Sequence, residues 1–189
     1  MLVWTAVTET RGNDFDWKRQ VLPLGTGVLA LVTIDQITKA LVASRMGLSE
    51  SIPVIPGLLH FTYVRNTGMA FGLLSGADVP FKTLLVTLAS ILALAAVAYY
   101  ALRSPGSDPS TRYGLTLILG GALGNIIDRV RLGYVIDFID VFYGRSHWPA
   151  FNVADSAISV GVGLLVLDSL RKRAPEGEPE GAAGAGRRS

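Results

Sequence analysis

The 189-residue sequence contains no cysteine. This absence excludes a disulfide framework, a thiolate nucleophile and every metal or iron–sulfur site that needs cysteine ligands. Histidine is also scarce, because the chain has only His60 and His147, and neither lies in an HExxH pattern. A histidine-based zinc site or a serine–histidine relay therefore has very little material to form from. We expect both histidines to lie at the surface or at a membrane interface.

Charged residues are few as well, at 17% of the chain, whereas 50% of the residues are hydrophobic. This balance is typical of a membrane protein and argues against a water-soluble globule. The formal net charge of +2 is too small to indicate a nucleic-acid partner. Any chemistry must therefore come from carboxylates, amides, hydroxyls, lysine and arginine.

Four apolar stretches are each close to the roughly 20 residues that a membrane-spanning helix requires. They lie at about 21–43, 81–102, 113–132 and 151–170. The first is not a secretory signal peptide, because acidic residues precede it and Asp35 and Lys39 interrupt it. The sequence thus predicts an all-α membrane protein with four transmembrane helices and a small extracytoplasmic β-rich element and loop.

The remaining segments define the predicted organisation. Residues 1–20 form a polar N-terminus, 21–173 the transmembrane domain, and 174–189 a low-complexity tail that we expect to be disordered. Lysine and arginine near the span ends are more frequent on the side of the two termini, which predicts that both are cytoplasmic. The outward connections are then 44–80, with a short strand predicted at 58–64, and 133–150, predicted as a loop that folds back.

Several polar side chains interrupt the predicted spans, although each ionisable group costs a few kcal/mol to insert. Asp35 and Lys39 are four residues apart and can pair on one face of the first helix. Asn125, Asp128 and Arg129 share a face of the third helix, behind a glycine-rich run that permits close approach of a neighbouring helix. These positions indicate polar contacts between helices.

The fourth predicted helix carries Asn152 and Asp155 at its head, and Asp137 follows the third helix in the outward connection. A rise of about 1.5 Å per residue places Asp35, Asp128 and Asp155 in the outer third of the bilayer. Independent helices would have no reason to place costly groups at one height. We therefore predict a shared polar cavity that opens to the outer face.

Each of these groups also has a structural explanation. Asp35 and Lys39 could be a neutralising pair, and the polar residues of the third helix could form an interhelical hydrogen-bond cluster. Asp155 could be a carboxylate favoured at a helix N-terminus, with Asn152 as the cap. Asp137 and Asp140 could be ordinary loop carboxylates. The convergence of the groups, rather than any single one, favours a functional site.

Two other function classes stay open at this point. A small transporter or proton-relay protein would also carry intramembrane ionisable residues. It would need polar groups distributed through the membrane, whereas the predicted cytoplasmic halves of the spans are nearly all apolar. A purely structural membrane subunit would not explain why carboxylates from separate segments meet at one height.

Five motifs together resemble a known family. In chain order, they resemble the signature blocks of bacterial lipoprotein signal peptidase (signal peptidase II), and they read DQITK (35–39), RNTGMAF (65–71), GGALGNIIDR (120–129), VIDF (135–138) and FNVADS (151–156). The resemblance implies an aspartic endopeptidase of the bacterial inner membrane, with its active site near the outer face. Such enzymes remove the signal peptide of diacylglyceryl-modified prolipoproteins by cleavage before the lipid-modified cysteine.

The resemblance also implies site residues and partners. The two catalytic aspartates correspond to Asp137 and Asp155. The supporting or substrate-binding positions are Asp35, Lys39, Asn66, Gly121, Asn125, Asp128, Arg129 and Asn152. We expect no metal or other cofactor, a monomer, and contacts with prolipoprotein substrates and membrane lipids but not with nucleic acid.

The residues present suit acid–base chemistry. Two carboxylates held together outside bulk water share one proton, so one can act as base and the other as acid. The loop around 66–71 is predicted to cover the peptide, because the small residues Gly68, Ala70 and Gly72 permit close approach of an extended chain. The acyl chains of the substrate are expected to lie against apolar helix faces beside the cavity.

Overall fold

Long helices and a small antiparallel sheet make up the protein. The structure is a computed structural model that describes residues 17–68, 79–103 and 108–173. The helices are α1 (Trp17–Arg45), α2 (Val79–Arg103), α3 (Pro109–Leu132) and α4 (Val153–Arg173). The strands are β1 (Ser51–Ile55), β2 (Leu59–Asn66), β3 (Val135–Tyr143) and β4 (Ser146–His147).

The four predicted helices are present, with ends that agree to within about one turn. Three of the described helices are long and apolar enough to cross a membrane, over Val21–Arg45, Thr83–Arg103 and Val153–Lys172. The third helix, α3, is not among them, so the count of four membrane crossings stays a prediction. The segments 1–16 and 174–189 and the loop positions Ala70 and Gly72 lie outside the described residues.

The central helix of the bundle is α3, which contacts each of the other three helices. Its buried positions include Gly114, Gly120, Gly121 and Gly124 as well as polar residues. Because protein rather than lipid covers these faces, α3 can carry small and charged residues, and it is not among the helices apolar enough to count as candidate membrane spans. Pro109 opens the helix, and Gly133 closes it in the left-handed conformation with φ of 80°.

The sheet joins the ends of the helices that carry the polar residues. Its strand order is β1-β2-β3-β4, and each strand pairs with the next in the antiparallel direction. Tyr63, Val135, Ile136 and Phe138 are its buried hydrophobic residues. Backbone hydrogen bonds between Ile139 and Phe151 then connect β3 to the segment that begins α4. The sheet therefore fixes β3 against the head of α4.

The sheet is larger than the sequence predicts. The strand predicted near 58–64 is present as β2, but the loop predicted at 133–150 is wrong, because β3 and β4 lie there. The first four residues of β3 are all buried, so the alternating pattern that marks a half-exposed strand is missing. β1 also contains Pro53, which a strand at the edge of the sheet tolerates.

Candidate active site

A buried lysine joins two carboxylates between α1 and α3. The Lys39 ammonium lies 2.9 Å from Asp35 and 3.0 Å from Asp128, and all three side chains are almost completely buried. Backbone N–H groups of Ala154 and Ile136 donate to Asp35 and Asp128, respectively, at 3.0 and 3.1 Å. The predicted Asp35–Lys39 pair is confirmed, and it links α1, α3, β3 and α4.

Gln36 adds to this cluster and was not among the predicted site residues. Its side-chain amide donates to Asp128 at 2.8 Å and to the Gly124 carbonyl at 3.3 Å. The signal that could have identified it is its position beside Asp35 in the first motif, since adjacent residues of a helix can reach the same neighbour. Gln36 therefore supplies a further donor to a carboxylate that also binds Lys39.

The head of α4 is held by a reciprocal cap. The Asp155 N–H donates to the side-chain oxygen of Asn152 at 2.9 Å, and the Asn152 N–H donates to Asp155 Oδ2 at 3.3 Å. This arrangement satisfies N–H groups that a helix start would otherwise leave unpaired. Asn152 and Asp155 thus cap the helix, as the structural explanation predicted. Both side chains also make contacts beyond the cap.

Asn152 also reaches Asp137, the other predicted catalytic residue. Its side-chain amide donates to Asp137 Oδ1 at 2.7 Å and also lies 3.2 Å from the side-chain oxygen of Asn125. The amide of Asn125 in turn donates to Asp155 Oδ1 at 2.7 Å, and its oxygen accepts from Lys39 at 2.9 Å. Asp137 and Asp155 therefore belong to one hydrogen-bond network, which Asn152 and Asn125 connect.

Asn66 binds the second oxygen of Asp137. Its amide donates to Asp137 Oδ2 at 2.9 Å, while its own oxygen accepts the Gly68 N–H at 2.8 Å. The second bond fixes which end of the amide faces the carboxylate. Gly68 adopts φ of +90°, and a Cβ there would lie 2.9 Å from Val86 of α2, so glycine is needed for this turn.

Burial governs the electrostatics of Asp137, whose exposed fraction is 1%. Loss of solvation raises the pKa of Asp137 to about 7, and the nearby charge of Asp155 acts in the same direction. Hydrogen bonds from Asn66 and Asn152 and the positive charge of Lys39 partly oppose the rise in this pKa. Asp137 can therefore either hold or release a proton near neutral pH.

Arg129 lines two cavities. Its positive charge is also close enough to interact with the three nearby carboxylates, those of Asp155, Asp137 and Asp128. The first, which we call the Asp155 cavity, has a volume of about 280 Å³ and lies between α2, α3 and α4 beside Asp155, Asn125 and Arg129. The second has a volume of about 600 Å³ and lies between α2 and the end of α3. The Asp155 cavity gives a ligand access to the network.

Glycines let α3 approach its neighbours closely enough to form this network. A Cβ on Gly121 would overlap the carbonyl oxygen of Ala154, and one on Gly124 would lie 2.6 Å from Asp35. Gly121, one of the predicted site residues, therefore permits close packing of α3 against α4. No group of three or more histidine, cysteine, aspartate or glutamate side chains within the described ranges is arranged to hold a metal ion.

The remaining candidates lie apart from the network. Asp140 is in β3 and pairs with His147 of β4 at 2.9 Å, and the His147 ring stacks on Phe142. The His60 ring meets the Phe142 ring in an edge-to-face arrangement, with the ring centres 4.5 Å apart. The structure thus brings together all ten predicted site residues and leaves Asp140 and both histidines in the sheet.

The fold and the site define a helical membrane protein with a buried network of carboxylates and amides at the sheet end of its bundle. Residues 27–171 match the family model described as signal peptidase (SPase) II. A lipoprotein signal peptidase of Syntrophus aciditrophicus is 47% identical over 156 residues, covering 82% of this chain and 96% of that relative. One from Geobacter sulfurreducens is 49% identical over 145 residues, covering 77% and 89%.

A solved structure agrees with these sequence matches. A bacterial membrane enzyme solved by the in meso method at 2.3 Å resolution is 34% identical to this chain. It superimposes with a TM-score of 0.73 over 86% of this chain and 96% of its own. The chain belongs to the signal peptidase II family, and it is therefore a peptidase with apolar, membrane-embedded helices.

Proposed function

We propose that this protein is an aspartic endopeptidase that removes the signal peptide from diacylglyceryl-modified prolipoproteins, cleaving before the lipid-modified cysteine. Its family and the names of its relatives support the substrate class. The single observation that carries the mechanism is the connection of Asp137 and Asp155 through Asn152. Two carboxylates in one buried network can divide the roles of acid and base.

Asp137 is the proposed protonated member of the pair. Its burial raises its pKa to about 7, so it can be protonated when substrate binds. Asp155 is the proposed base, because it accepts from Asn125, whose oxygen in turn accepts from the Lys39 ammonium. The Lys39 charge polarises the Asn125 amide, and the stronger hydrogen bond that this amide donates favours the ionised form of the Asp155 carboxylate.

The proposed reaction uses water as the nucleophile. Asp155 takes a proton from the water while its oxygen attacks the scissile carbonyl carbon, and Asp137 donates a hydrogen bond to the carbonyl oxygen. The resulting tetrahedral intermediate collapses when the carbon–nitrogen bond breaks and the leaving amine receives the proton held by Asp155. Asp137 keeps its proton when the carbonyl forms again, so the pair returns to its starting state.

The supporting residues have separate roles in this proposal. Asn66, Asn125 and Asn152 orient the two aspartates through the hydrogen bonds described above. Asp35, Lys39 and Asp128 hold the helices together through their buried charges, and Gly121 permits the close contact of α3 with α4. Arg129, which lines both cavities, is positioned to bind the substrate backbone.

The proposed location is the bacterial inner membrane, with both termini cytoplasmic and the site near the outer face. The helix ends support a site at one side of the bundle. Asp35 and Lys39 lie in the last half of α1, Asn125 lies near the end of α3, and Asp155 lies in the first turn of α4. The sheet packs at this same end, where a periplasmic element would meet the substrate. We also propose a monomer, because the proposed site residues all come from one chain.

The test replaces Asp137 and Asp155 by asparagine, one at a time, in the full-length protein. Processing of a diacylated prolipoprotein is followed by gel shift, and each variant should lose cleavage while it remains inserted in the membrane. Asp140→Asn is the matched control, because Asp140 lies on the same strand as Asp137 and contacts His147 instead of the network. Near-normal turnover by Asp137→Asn or Asp155→Asn would show that the assignment is wrong.

A further inference from the structure

Arg65 lies next to Asn66 at the end of β2, and it was not among the predicted site residues although it opens the second sequence motif. Its Nε–H donates to the Tyr63 hydroxyl at 3.3 Å. Its guanidinium carbon lies 4.9 Å from the centre of the Tyr134 ring and 5.7 Å from that of Tyr63, within the range of cation–π attraction. We call these side chains, Tyr63, Arg65 and Tyr134, the arginine clasp.

The arginine clasp joins two segments of the chain. Tyr63 is its buried anchor on β2, with an exposed fraction of 4%. Backbone hydrogen bonds of Tyr63 with Ser49 and Glu50 hold this residue to the segment before β1. Tyr134 lies in the short connection between α3 and β3. Arg65 therefore fastens the end of β2 to the start of β3.

The clasp and the catalytic network lie on opposite faces of the paired strands β2 and β3. Arg65 is opposite Ile136 in the register, and the next pair joins Asn66 to Val135. Adjacent residues of a strand point to opposite faces, so the Asn66 side chain faces away from the clasp. It donates to Asp137 Oδ2 at 2.9 Å. The clasp can therefore influence Asp137 only through the position of β2.

β3 is held by the helices at this point, whereas β2 is not. The Ile136 N–H donates to Asp128 of α3 at 3.1 Å, and the Ile136 carbonyl accepts from the Asn152 amide at 3.2 Å. Among the described residues, no helix side chain forms a hydrogen bond with Asn66. The position of Asn66 thus depends on how firmly the end of β2 is fastened to β3.

We propose that Arg65 is a positioning residue for the reaction, because the arginine clasp holds the Asn66 amide against Asp137. The inference rests on the proposed function, in which Asp137 donates a hydrogen bond to the scissile carbonyl. Arginine suits this role, since its planar guanidinium can stack on aromatic rings while Nε–H donates a hydrogen bond. The lysine ammonium is a hydrated point charge on a flexible stem and cannot replace both contacts.

The first experiment measures cleavage by Arg65→Lys, which keeps the charge but removes the stacked guanidinium and its Nε–H. The Asn66 hydrogen bond lowers the pKa of Asp137, so a displaced Asn66 should move the alkaline limb of kcat/KM to higher pH. We expect kcat to decrease about tenfold, less than the roughly 100-fold that a 1 Å misplacement can cost. Three charged groups act on Asp137 from the helices and are unchanged in this variant, namely Lys39, Arg129 and Asp155.

A double variant tests whether Arg65 acts through Asn66. Asn66→Ala removes the donor itself, so adding Arg65→Lys to it should change neither the alkaline limb nor kcat any further. Tyr134→Leu should resemble Arg65→Lys, whereas Tyr134→Phe keeps the ring and should stay closer to wild type. Arg145→Lys is the matched control, because Arg145 is an exposed arginine in the turn between β3 and β4.

The second experiment needs no substrate. The full-length protein is labelled with ¹³C at its aspartate carboxyl groups, and the signal of Asp137 is identified by its loss in Asp137→Asn. The pH titration of this signal is then followed by NMR. Its midpoint should lie at higher pH in Arg65→Lys than in the wild type, and Arg145→Lys should leave it unchanged.

The outcomes separate the two proposals. Failure of the wild-type protein to cleave a diacylated peptide contradicts the proposed function, and the NMR titration then decides alone whether Arg65 positions Asn66. An unchanged NMR midpoint and alkaline limb in Arg65→Lys would overturn the proposal, even if the melting temperature decreased, because the clasp would then be only structural. A further shift on adding Arg65→Lys to Asn66→Ala would also overturn it, since Arg65 would act independently of Asn66.

Discussion

Asn152 donates through its side-chain amide to Asp137 at 2.7 Å, and its side-chain oxygen accepts the N–H of Asp155 at 2.9 Å. One asparagine therefore caps α4 and connects the two proposed catalytic residues. Asp137 on β3 and Asp155 on α4 are held at a fixed separation because the side-chain amide group of Asn152 binds both. The two roles of Asn152 can be separated by mutation.

Asn152→Ser should keep the cap but lose the bond to Asp137, because a serine hydroxyl can cap a helix but is too short to reach β3. We expect the melting temperature to stay close to wild type while kcat falls by about 100-fold, the scale for loss of one positioned polar group in an active site. Asn152→Ala should lose the cap as well and cost about 1 kcal/mol more in stability.

The measurements are thermal unfolding in detergent and peptide cleavage at saturating substrate. Wild-type kcat in Asn152→Ser would mean that the bond between Asn152 and Asp137 is unnecessary for turnover. A large loss of stability in the same variant would mean instead that the bond is mainly structural.

Lys39 and Lys172 provide a matched pair for testing buried charge. Each lysine binds two aspartates, but Lys39 is buried while the Lys172 side chain is 56% exposed. Lys39→Met should cost about 3–5 kcal/mol, because Asp35 and Asp128 would stay buried without their cation. Lys172→Met should cost far less, because the side chains of Lys172 and its partner Asp108 are both more than half exposed and water screens their attraction.

Thermal unfolding of the two purified variants in the same detergent gives the comparison. Similar losses for both lysines would refute the view that the Asp35–Lys39–Asp128 cluster holds α1 and α3 together.

Much of this site could be predicted from the sequence, because intramembrane ionisable residues are few and their helical spacing is regular. The Asp35–Lys39 pair follows from a four-residue separation, and the packing role of Gly121 follows from the glycine run. The contacts of Asn66 and Asn152 with Asp137 could not be predicted by spacing. They depend on β3, whose first four residues are all buried, so the sequence shows no alternation of apolar and polar residues. They also depend on the pairing of β3 with β2, in which paired residues are 69 or more positions apart in the sequence.

The pH dependence of cleavage should follow Asp137 on its alkaline side. Burial raises the pKa of Asp137 to about 7, and the proposed mechanism needs this carboxyl protonated. We therefore expect kcat/KM to decrease as the pH rises through about 7. The hydrogen bond from Asn66 lowers the pKa of Asp137, so Asn66→Ala should raise that pKa and move the alkaline limb to higher pH.

Asp140→Asn is again the control, and its alkaline limb should coincide with that of the wild type. The profile is measured as kcat/KM between about pH 5 and 9, a range that brackets the raised pKa. An Asn66→Ala limb that moves to lower pH, or does not move, would assign the alkaline limb to a different group.

Gly121 and Gly163 test whether close helix packing positions the site. Gly121→Ala places a Cβ against the Ala154 carbonyl oxygen and 2.8 Å from Ile158, so α3 and α4 must separate. We expect a loss of about 1–3 kcal/mol in stability, the usual cost of overpacking. Cleavage should also decrease, because Asn125 lies on α3 and Asp155 on α4, and their 2.7 Å bond spans the widened gap.

Gly163→Ala is the control on α4, where a Cβ would meet nothing within 4 Å. It should be neutral or stabilise the helix by up to about 1 kcal/mol, because alanine favours a helix interior over glycine. Thermal unfolding and cleavage are measured on both variants. Full activity in Gly121→Ala, despite reduced stability, would show that the site tolerates separation of α3 from α4 and that the Asn125–Asp155 bond does not set the rate.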